Sequence, residues 1–403
     1  MTTIAKPRVQ TLLIIFAFMA FACIGLKDSL LNVATPSIQA TFDIPLGAFG
    51  MLFLSSMIGY TLSGVLSGAI MARMGVGRML ALSCAAMGLG LVGYALAPGW
   101  WAIVLLGLFS GAGGGAIDAG LNTYVATNHS ESVMQWLHAC FGVGSTLGPL
   151  LMTGILAQEL SWRWGYAVVG AFQAGLALCF FLTADLWRTN PSAKNTDLMD
   201  YKTPARETLR IPTVWLSIFI FFLYTGLEYG TGVWSYTLFT ESRGISEETA
   251  GLWVSLYWGV FTIGRITAGM LTGRISLSTL LRACMIGSVA GAALLWANPF
   301  PESGVIALAL IGFSCAPIFP GLISNTPARV GAAHAANTIG FQVGAGSLGI
   351  GILPGIAGLV ADYIAIEAIG PFFLILALGM FALYEVMQIQ QKQENLTILE
   401  IGS

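Results

Sequence analysis

Residues 11–32 read TLLIIFAFMAFACIGLKDSLLN, an apolar run that carries two adjacent opposite charges, Lys27 and Asp28, near its middle. A charge at that depth of a membrane-spanning helix costs at least ~2.5 kcal/mol. Such a pair marks a place where chemistry outweighs the penalty of insertion. The run has no small-residue cleavage site and is followed by many others like it, so it is expected to be a first spanning helix and not a removable leader. Working outward, the whole 403-residue chain is 56% hydrophobic and 9% charged, against roughly 25% charged in a soluble protein. That composition describes an integral membrane protein in contact with lipid. The net charge of -2 provides no basic field, which excludes nucleic acid as a partner. The six cysteines fall in apolar stretches without CxxC spacing or nearby histidine clusters, so they read as packing residues and imply neither disulfide nor metal.

A spanning helix needs about 20 apolar residues. Apolar runs fall at 10–35, 46–71, 78–97, 101–126, 133–158, 163–184, 212–239, 248–272, 278–297, 303–325, 332–360 and 367–389. The hydrophilic stretch 185–211 separates them into two sets of six. The expected organisation is therefore a six-helix bundle over 1–184, a cytoplasmic linker over 185–211 and a second six-helix bundle over 212–403. Orientation follows from basic residues, which concentrate on the inner side of the membrane. With both termini inside, the inner segments hold Lys6, Arg8, Arg73, Arg78, Arg188, Lys194, Lys202, Arg206, Arg210, Arg274, Arg282, Arg329 and Lys392, whereas the outer loops hold Arg163 and Arg243. Both termini and the linker are thus assigned to the cytoplasm, and the chain to the plasma (inner) membrane.

The halves repeat. A shift of about 201 residues lays Gly25-Leu26-Lys27 on Gly226-Leu227-Glu228 and Arg73 on Arg274. Slightly longer shifts lay Gly144-Ser145 on Gly346-Ser347 and Asn122-Thr123 on Asn325-Thr326. Duplicated bundles are the ground plan of transporters that bind substrate near the bilayer midplane. The repeat also suggests a contact between Lys27 and Glu228 across the halves; the alternatives are local pairing of Lys27 with Asp118 or with Asp28, the latter made awkward by the ~100° between adjacent helical residues.

Between the second and third runs stands Gly68-Ala-Ile-Met-Ala-Arg73-Met-Gly75-Val-Gly77-Arg78, which resembles the major facilitator superfamily signature GxxxDRxGxRR, with Ala72 and Gly77 where the signature has an acid and a base. A reduced copy, Gly269-Met-Leu-Thr-Gly273-Arg274, follows the eighth run. Three further stretches resemble the fucose-proton symporter branch and the glucose transporters within it. They are Gly113-Gly-Gly-Ala-Ile-Asp118-Ala-Gly-Leu-Asn122 in the fourth run, Leu137-His138-Ala-Cys-Phe141-Gly142-Val-Gly144-Ser-Thr-Leu-Gly148-Pro149 in the fifth, and Phe222-Leu-Tyr224-Thr-Gly226-Leu-Glu228 in the seventh. The resemblance implies an all-α membrane protein with twelve transmembrane helices in two pseudo-symmetric bundles. It also implies proton-coupled symport of a monosaccharide or similar polyol, with acids on the first and fourth helices binding proton and sugar. Asp118 matches the fourth-helix acid. The first-helix acid position falls on Asn32, with Asp28 four residues earlier on the same face.

Proton-coupling candidates are therefore Asp118, Asp28 and Glu228, because an acid that must ionise away from water readily takes up a proton. Sugar hydroxyls need amides, charged groups and hydroxyls, and the ring's C–H face needs aromatic planes. Candidates of these kinds are Lys27, Asn32, Asn122, Gln135, His138, Tyr224, Glu228, Tyr229, Trp234, Trp253, Tyr257, Asn325 and Gln342; Tyr257 and Trp258 cannot both face a cavity. Gating candidates are Arg73, Arg78, Arg265 and Arg274. Trp100, Trp101 and Trp162 are expected in the interfacial belt. The glycines of the fourth and eleventh runs (Gly111, Gly115, Gly340, Gly344, Gly351, Gly355) are spaced for close helix packing.

The expected protein is a monomer with a small-molecule substrate, a sugar, and no cofactor beyond a coupling ion, proton or sodium. A drug or metabolite proton antiporter is the alternative, since Gly142 to Pro149 also resembles the fifth-helix antiporter motif. No metal-ligand pair, nucleophile elbow or phosphate loop is present, so an enzyme is not expected.

Overall fold

The computed structural model describes residues 7–45, 48–187 and 203–401. The centre of the linker, with Arg188, Lys194 and Lys202, and the N-terminal Lys6 lie outside the described residues. The described residues form an all-α protein: α1 (Pro7–Phe42), α2 (Phe49–Met74), α3 (Val76–Leu96), α4 (Trp100–Asn128), α5 (Glu131–Leu156), α6 (Arg163–Leu182), the short α7 (Ala205–Thr208), α8 (Pro212–Thr237), α9 (Glu247–Leu271), α10 (Leu277–Ala297), α11 (Ser303–Cys315), α12 (Ile318–Ser324), α13 (Thr326–Val330), α14 (Ala332–Tyr363) and α15 (Ile369–Ile401). Eleven spans among the described residues are long and apolar enough to cross a membrane. The 25-residue α9 is long enough too, but it carries Arg265 with Trp253, Tyr257 and Trp258, whose polar atoms lower its hydropathy.

Local chemistry sets the boundaries. Pro212 opens α8, where its missing N–H would have no partner in any case. Ser246 and Ser276 cap α9 and α10 by accepting the backbone N–H of Thr249 and Thr279. The tenth apolar run, expected as one helix over 303–325, is instead broken into α11 and α12, with α13 beyond. Pro317, Pro320 and Pro327 each remove a helical donor there.

The chain divides into two compact units, Met1–Ala205 with Ala332–Gly344, and Arg206–Gly331 with Ala345–Ser403. In the first, α1 packs on α5, α2 on α4, and α3 on α4 and α6. In the second, α10 packs on α11 and α15, α9 on α11, and α8 on α15. Outward side chains such as Leu62, Leu89, Phe181 and Leu252 are apolar and exposed, the surface that a helical bundle offers to lipid.

Glycine contacts explain why α1 meets α5 and α2 meets α4 so closely. A Cβ on Gly144 would lie 1.8 Å from the Ala22 carbonyl oxygen, and one on Gly111 would lie 2.0 Å from that of Ser56. Side chains there would force the backbones apart. Gly340 and Gly344 approach Gly64 and Val65 in the same way, whereas Gly355 faces open space.

The signature turn is also accounted for. Gly75 adopts φ +82°, which ends α2 and starts α3. A Cβ on Gly77 would lie 2.4 Å from the Ala184 carbonyl oxygen, so the basic residue of the signature has no room here. Arg78 instead lies 3.8 Å from Asp185, just beyond α6, with both groups largely exposed. At that exposure the pair contributes little stability.

The expected interfacial belt needs correction. Trp101 is 66% exposed, but Trp100 and Trp162 are buried. Trp162 donates to Thr41 Oγ1 at 3.0 Å and has Arg163 stacked over its ring, while Trp100 packs on Phe49. Each therefore ties helix ends together.

Candidate functional site

In the first unit, polar side chains from three helices meet in a continuous chain. Asp118, 6% exposed on α4, is its centre. Its Oδ2 accepts the Tyr60 hydroxyl of α2, and its Oδ1 accepts Asn122 Nδ2 one turn further along α4. The same amide also donates to the Asp118 backbone carbonyl at 2.9 Å. Asn122 Oδ1 in turn lies 3.0 Å from His138 Nε2 of α5. That ring stands edge-on to Phe21 of α1, with centroids 5.0 Å apart. Gln135, also on α5, is buried one turn before His138.

The helix packing creates this arrangement. A Cβ on Gly115 would lie 2.2 Å from the Tyr60 carbonyl oxygen. The bare α4 backbone at that point brings α2 near enough for Tyr60 to reach Asp118 one turn on. Spacing along the sequence predicts Asp118, Asn122 and His138 but not Tyr60. The available signal was the stripe of small residues on α2, Ser56, Gly59, Ser63 and Ser67, which marks the packing face on which Tyr60 sits.

Lys27 and Asp28 form an ion pair of 2.8 Å, with side chains 10% and 49% exposed. Of the pairings open to Lys27, the local one with Asp28 is present: the long, flexible lysine stem carries Nζ across the angle between adjacent residues. Lys27 points toward Gly114 of α4, and the Asp28 charge acts on Tyr60. The pair thus borders the Asp118 chain. Asn32 is exposed, one turn after Asp28 on the same face. Gln342 is fully buried in the part of α14 that belongs to this unit.

The second unit has its own cluster. The half-buried Glu228 of α8 lies within electrostatic reach of Tyr224 and of Arg265 on α9. Tyr257 is fully buried and donates to the Glu228 backbone carbonyl at 2.7 Å, while Trp258 is turned outward. Arg265, expected from its depth to be a gate residue, is 7% exposed and stacks over Phe261 at 4.4 Å, so it belongs with Glu228. The remaining candidates of this unit lie elsewhere in it, and Arg73 and Arg78 lie in the first. Trp234 donates to the Pro354 carbonyl at 2.9 Å, and Tyr229 is 40% exposed. Asn325 sits at the junction of α12 and α13. Trp253 packs against Phe239 at the mouth of a cavity of about 400 Å³ shared with Arg243, Asn298 and Phe300. Arg73, Arg78 and Arg274 are all exposed at helix ends.

No group of three or more His, Cys, Asp or Glu side chains that could hold a metal occurs among the described residues. Chemically, the two clusters offer carboxylates bound by neutral donors in one unit and beside a guanidinium in the other.

Residues 17–246 and 218–395 both match the Major Facilitator Superfamily. The chain belongs to that superfamily. It is accordingly a transporter of small molecules and not an enzyme. Its fold is similar to that of the fucose:proton symporter FucP of E. coli, at TM-score 0.75 and 16% identity, over 93% of this chain and 98% of that one. Among characterised proteins it is similar to the cis,cis-muconate transport protein of Acinetobacter baylyi, at 25% identity over 84% of this chain and 89% of the relative. It is also similar to the hexuronate transporter of Bacillus subtilis, at 24% identity over 64% of this chain and 63% of the relative.

Proposed function

We propose that this superfamily member is a proton-coupled symporter of a monosaccharide or similar polyol, working by alternating access of the two repeated halves in the plasma (inner) membrane with both termini cytoplasmic. The observation that carries the reading is the buried Asp118 carboxylate, held by Tyr60 and Asn122 with His138 behind. Carboxylates at such depth in a membrane protein are the groups that carry protons in transport relays. Its hydrogen-bond partners are the groups that recognise sugar hydroxyls. Glu228, beside Arg265, is the second proton-coupling candidate, and Asp28 the third. Fold similarity to a fucose:proton symporter supports the same reading by analogy.

A second reading, symport of a carboxylated sugar or small acid, is favoured by Lys27. Its ammonium borders the Asp118 chain, and two relatives named above carry muconate and hexuronate. The test uses proteoliposomes and labelled fucose, glucose, xylose and glucuronate. Accumulation of a neutral sugar on an imposed inward proton gradient in sodium-free buffer supports the first reading, and accumulation of glucuronate alone selects the second. Uptake that demands sodium replaces the proton by sodium. Expulsion of the substrate on the same gradient overturns symport in favour of an antiporter.

A further inference from the structure

Arg329 of the five-residue α13 is a buried cation of the second unit that the candidate site does not use and that no acid among the described residues neutralises. Only 9% of the residue is exposed. Its Nε, Nη1 and Nη2 are all buried without a hydrogen-bond partner among the described residues. Its neighbour is an aromatic plane: the guanidinium carbon lies 5.9 Å from the ring centroid of Tyr384 on α15. The nearby carboxylate is already committed. Glu385 takes Arg282 of α10 in a two-pronged bridge of 2.7 and 2.8 Å. The Gln388 amide lies against the Tyr384 hydroxyl, one turn further along α15.

A guanidinium cannot escape this situation by losing its proton. Burial lowers Arg329 from the usual arginine range to about 10, which still leaves it charged at neutral pH. An isolated buried ion is strongly penalised unless a counter-charge satisfies it. The planar fork of five N–H donors matches the paired oxygens of phosphate, as it does those of carboxylate. Arg282 and Glu385 cancel, so one positive charge remains, which a singly charged phosphodiester or dihydrogen phosphate would balance. The basic residues assign this end of the unit to the cytoplasmic side, where anionic lipid headgroups and free phosphate are both at hand.

We propose that Arg329, backed by Tyr384 and Gln388, forms an inner-side site for a phosphate group. The site is independent of the substrate assignment above.

The test is thermal unfolding of the purified, delipidated full chain in a nonionic detergent, for the native protein and for Arg329→Met and Arg329→Lys. Additions are phosphatidylglycerol, inorganic phosphate against sodium chloride of equal ionic strength, and diacylglycerol. Phosphatidylglycerol or phosphate should raise the native midpoint, by about 5 °C at one hundred times the dissociation constant. A rise with phosphatidylglycerol alone identifies a lipid headgroup, and a rise with both shows that the phosphate group suffices. Arg329→Met should show no rise with either addition. Without added anion it should unfold no lower than the native chain, because it removes an uncompensated buried charge. Arg329→Lys should retain part of the rise as a point charge. No response in the native chain, an equal response in Arg329→Met, or an equal response to diacylglycerol would each overturn the proposal.

Discussion

Replacing Asp118 by Asn tests the centre of the site with almost no change in shape. In the native chain each carboxylate oxygen accepts a donor, the Tyr60 hydroxyl on one side and Asn122 Nδ2 on the other. A hydrogen bond to a charged group contributes about 1.5–3 kcal/mol. The asparagine amide keeps its oxygen accepting from Asn122 and turns its N–H2 group to the Tyr60 hydroxyl, which can accept it, so both contacts persist but lose the charge that strengthens them. Removing the charge also removes the proton-binding group. Each bond weakens by about 1 kcal/mol on going from charged to neutral, and at 1.4 kcal/mol per factor of ten the two together account for about thirtyfold. Loss of coupling should add to this for gradient-driven uptake and leave passive exchange untouched. In proteoliposomes, Asp118→Asn should abolish accumulation on an imposed proton gradient. It should retain equilibrium counterflow of the same labelled sugar, reduced by about thirtyfold at most. Tyr60→Phe, which deletes one donor and keeps the acid, should retain accumulation with a loss of about tenfold. Undiminished accumulation by Asp118→Asn would refute the assignment of this acid. So would a Tyr60→Phe variant indistinguishable from native, because the two side chains would then not work as one unit.

Three further outcomes follow from packing and burial. Gly115→Ala places a Cβ 2.2 Å from the Tyr60 carbonyl oxygen, and the forced separation of α2 from α4 should cost about 1–3 kcal/mol or more, read as a lower unfolding midpoint together with reduced transport. Gly77→Arg restores the superfamily's basic residue yet should destabilise the chain, since the first side-chain atom already meets the Ala184 carbonyl at 2.4 Å; an unchanged or raised midpoint would contradict this packing. His129, between α4 and α5, is held below its ordinary pKa by burial, with its ring against Tyr124. Its neutral form is the one the fold accommodates, so its contribution to stability is present above the unfolded value near 6.5 and lost as pH falls below it. Unfolding midpoints measured from pH 8 to pH 5 should fall less steeply in His129→Gln than in the native chain, and identical slopes would count against the burial argument.

Much of the site can be read along the chain because it lies along single helices. Asp118 and Asn122 are one turn apart on α4, so their pairing follows from helical spacing. By the same spacing Asp28 and Asn32 share one face of α1. Tyr60 could not be found in this way, because it reaches Asp118 only through the close approach of α2 and α4. The neighbours of Arg265 were hidden for a related reason. Its depth along α9 was legible, but its proximity to Glu228 on α8 depends on how two helices are rotated against each other. The helical angle disfavours the Lys27–Asp28 bridge, and the length of the lysine side chain overcomes it. Trp100 and Trp162 fit the interfacial pattern by position, yet their rings turn inward to Phe49 and Thr41.

Composition and the period of the apolar runs determine that this is a helical membrane protein, because the bilayer demands lengths of about 20 apolar residues and internal pairing of every backbone polar group. Motif spacing within helices determines that Asp118, Asn122, His138 and Glu228 are of interest. The tertiary structure decides which of these side chains share one hydrogen-bonded chain. It also decides that Gly77 cannot be the basic residue of its signature, and that Arg329 is buried without a counter-charge. Those outcomes depend on where glycines let backbones approach and how helices are rotated about their axes, and no local pattern of residues encodes either.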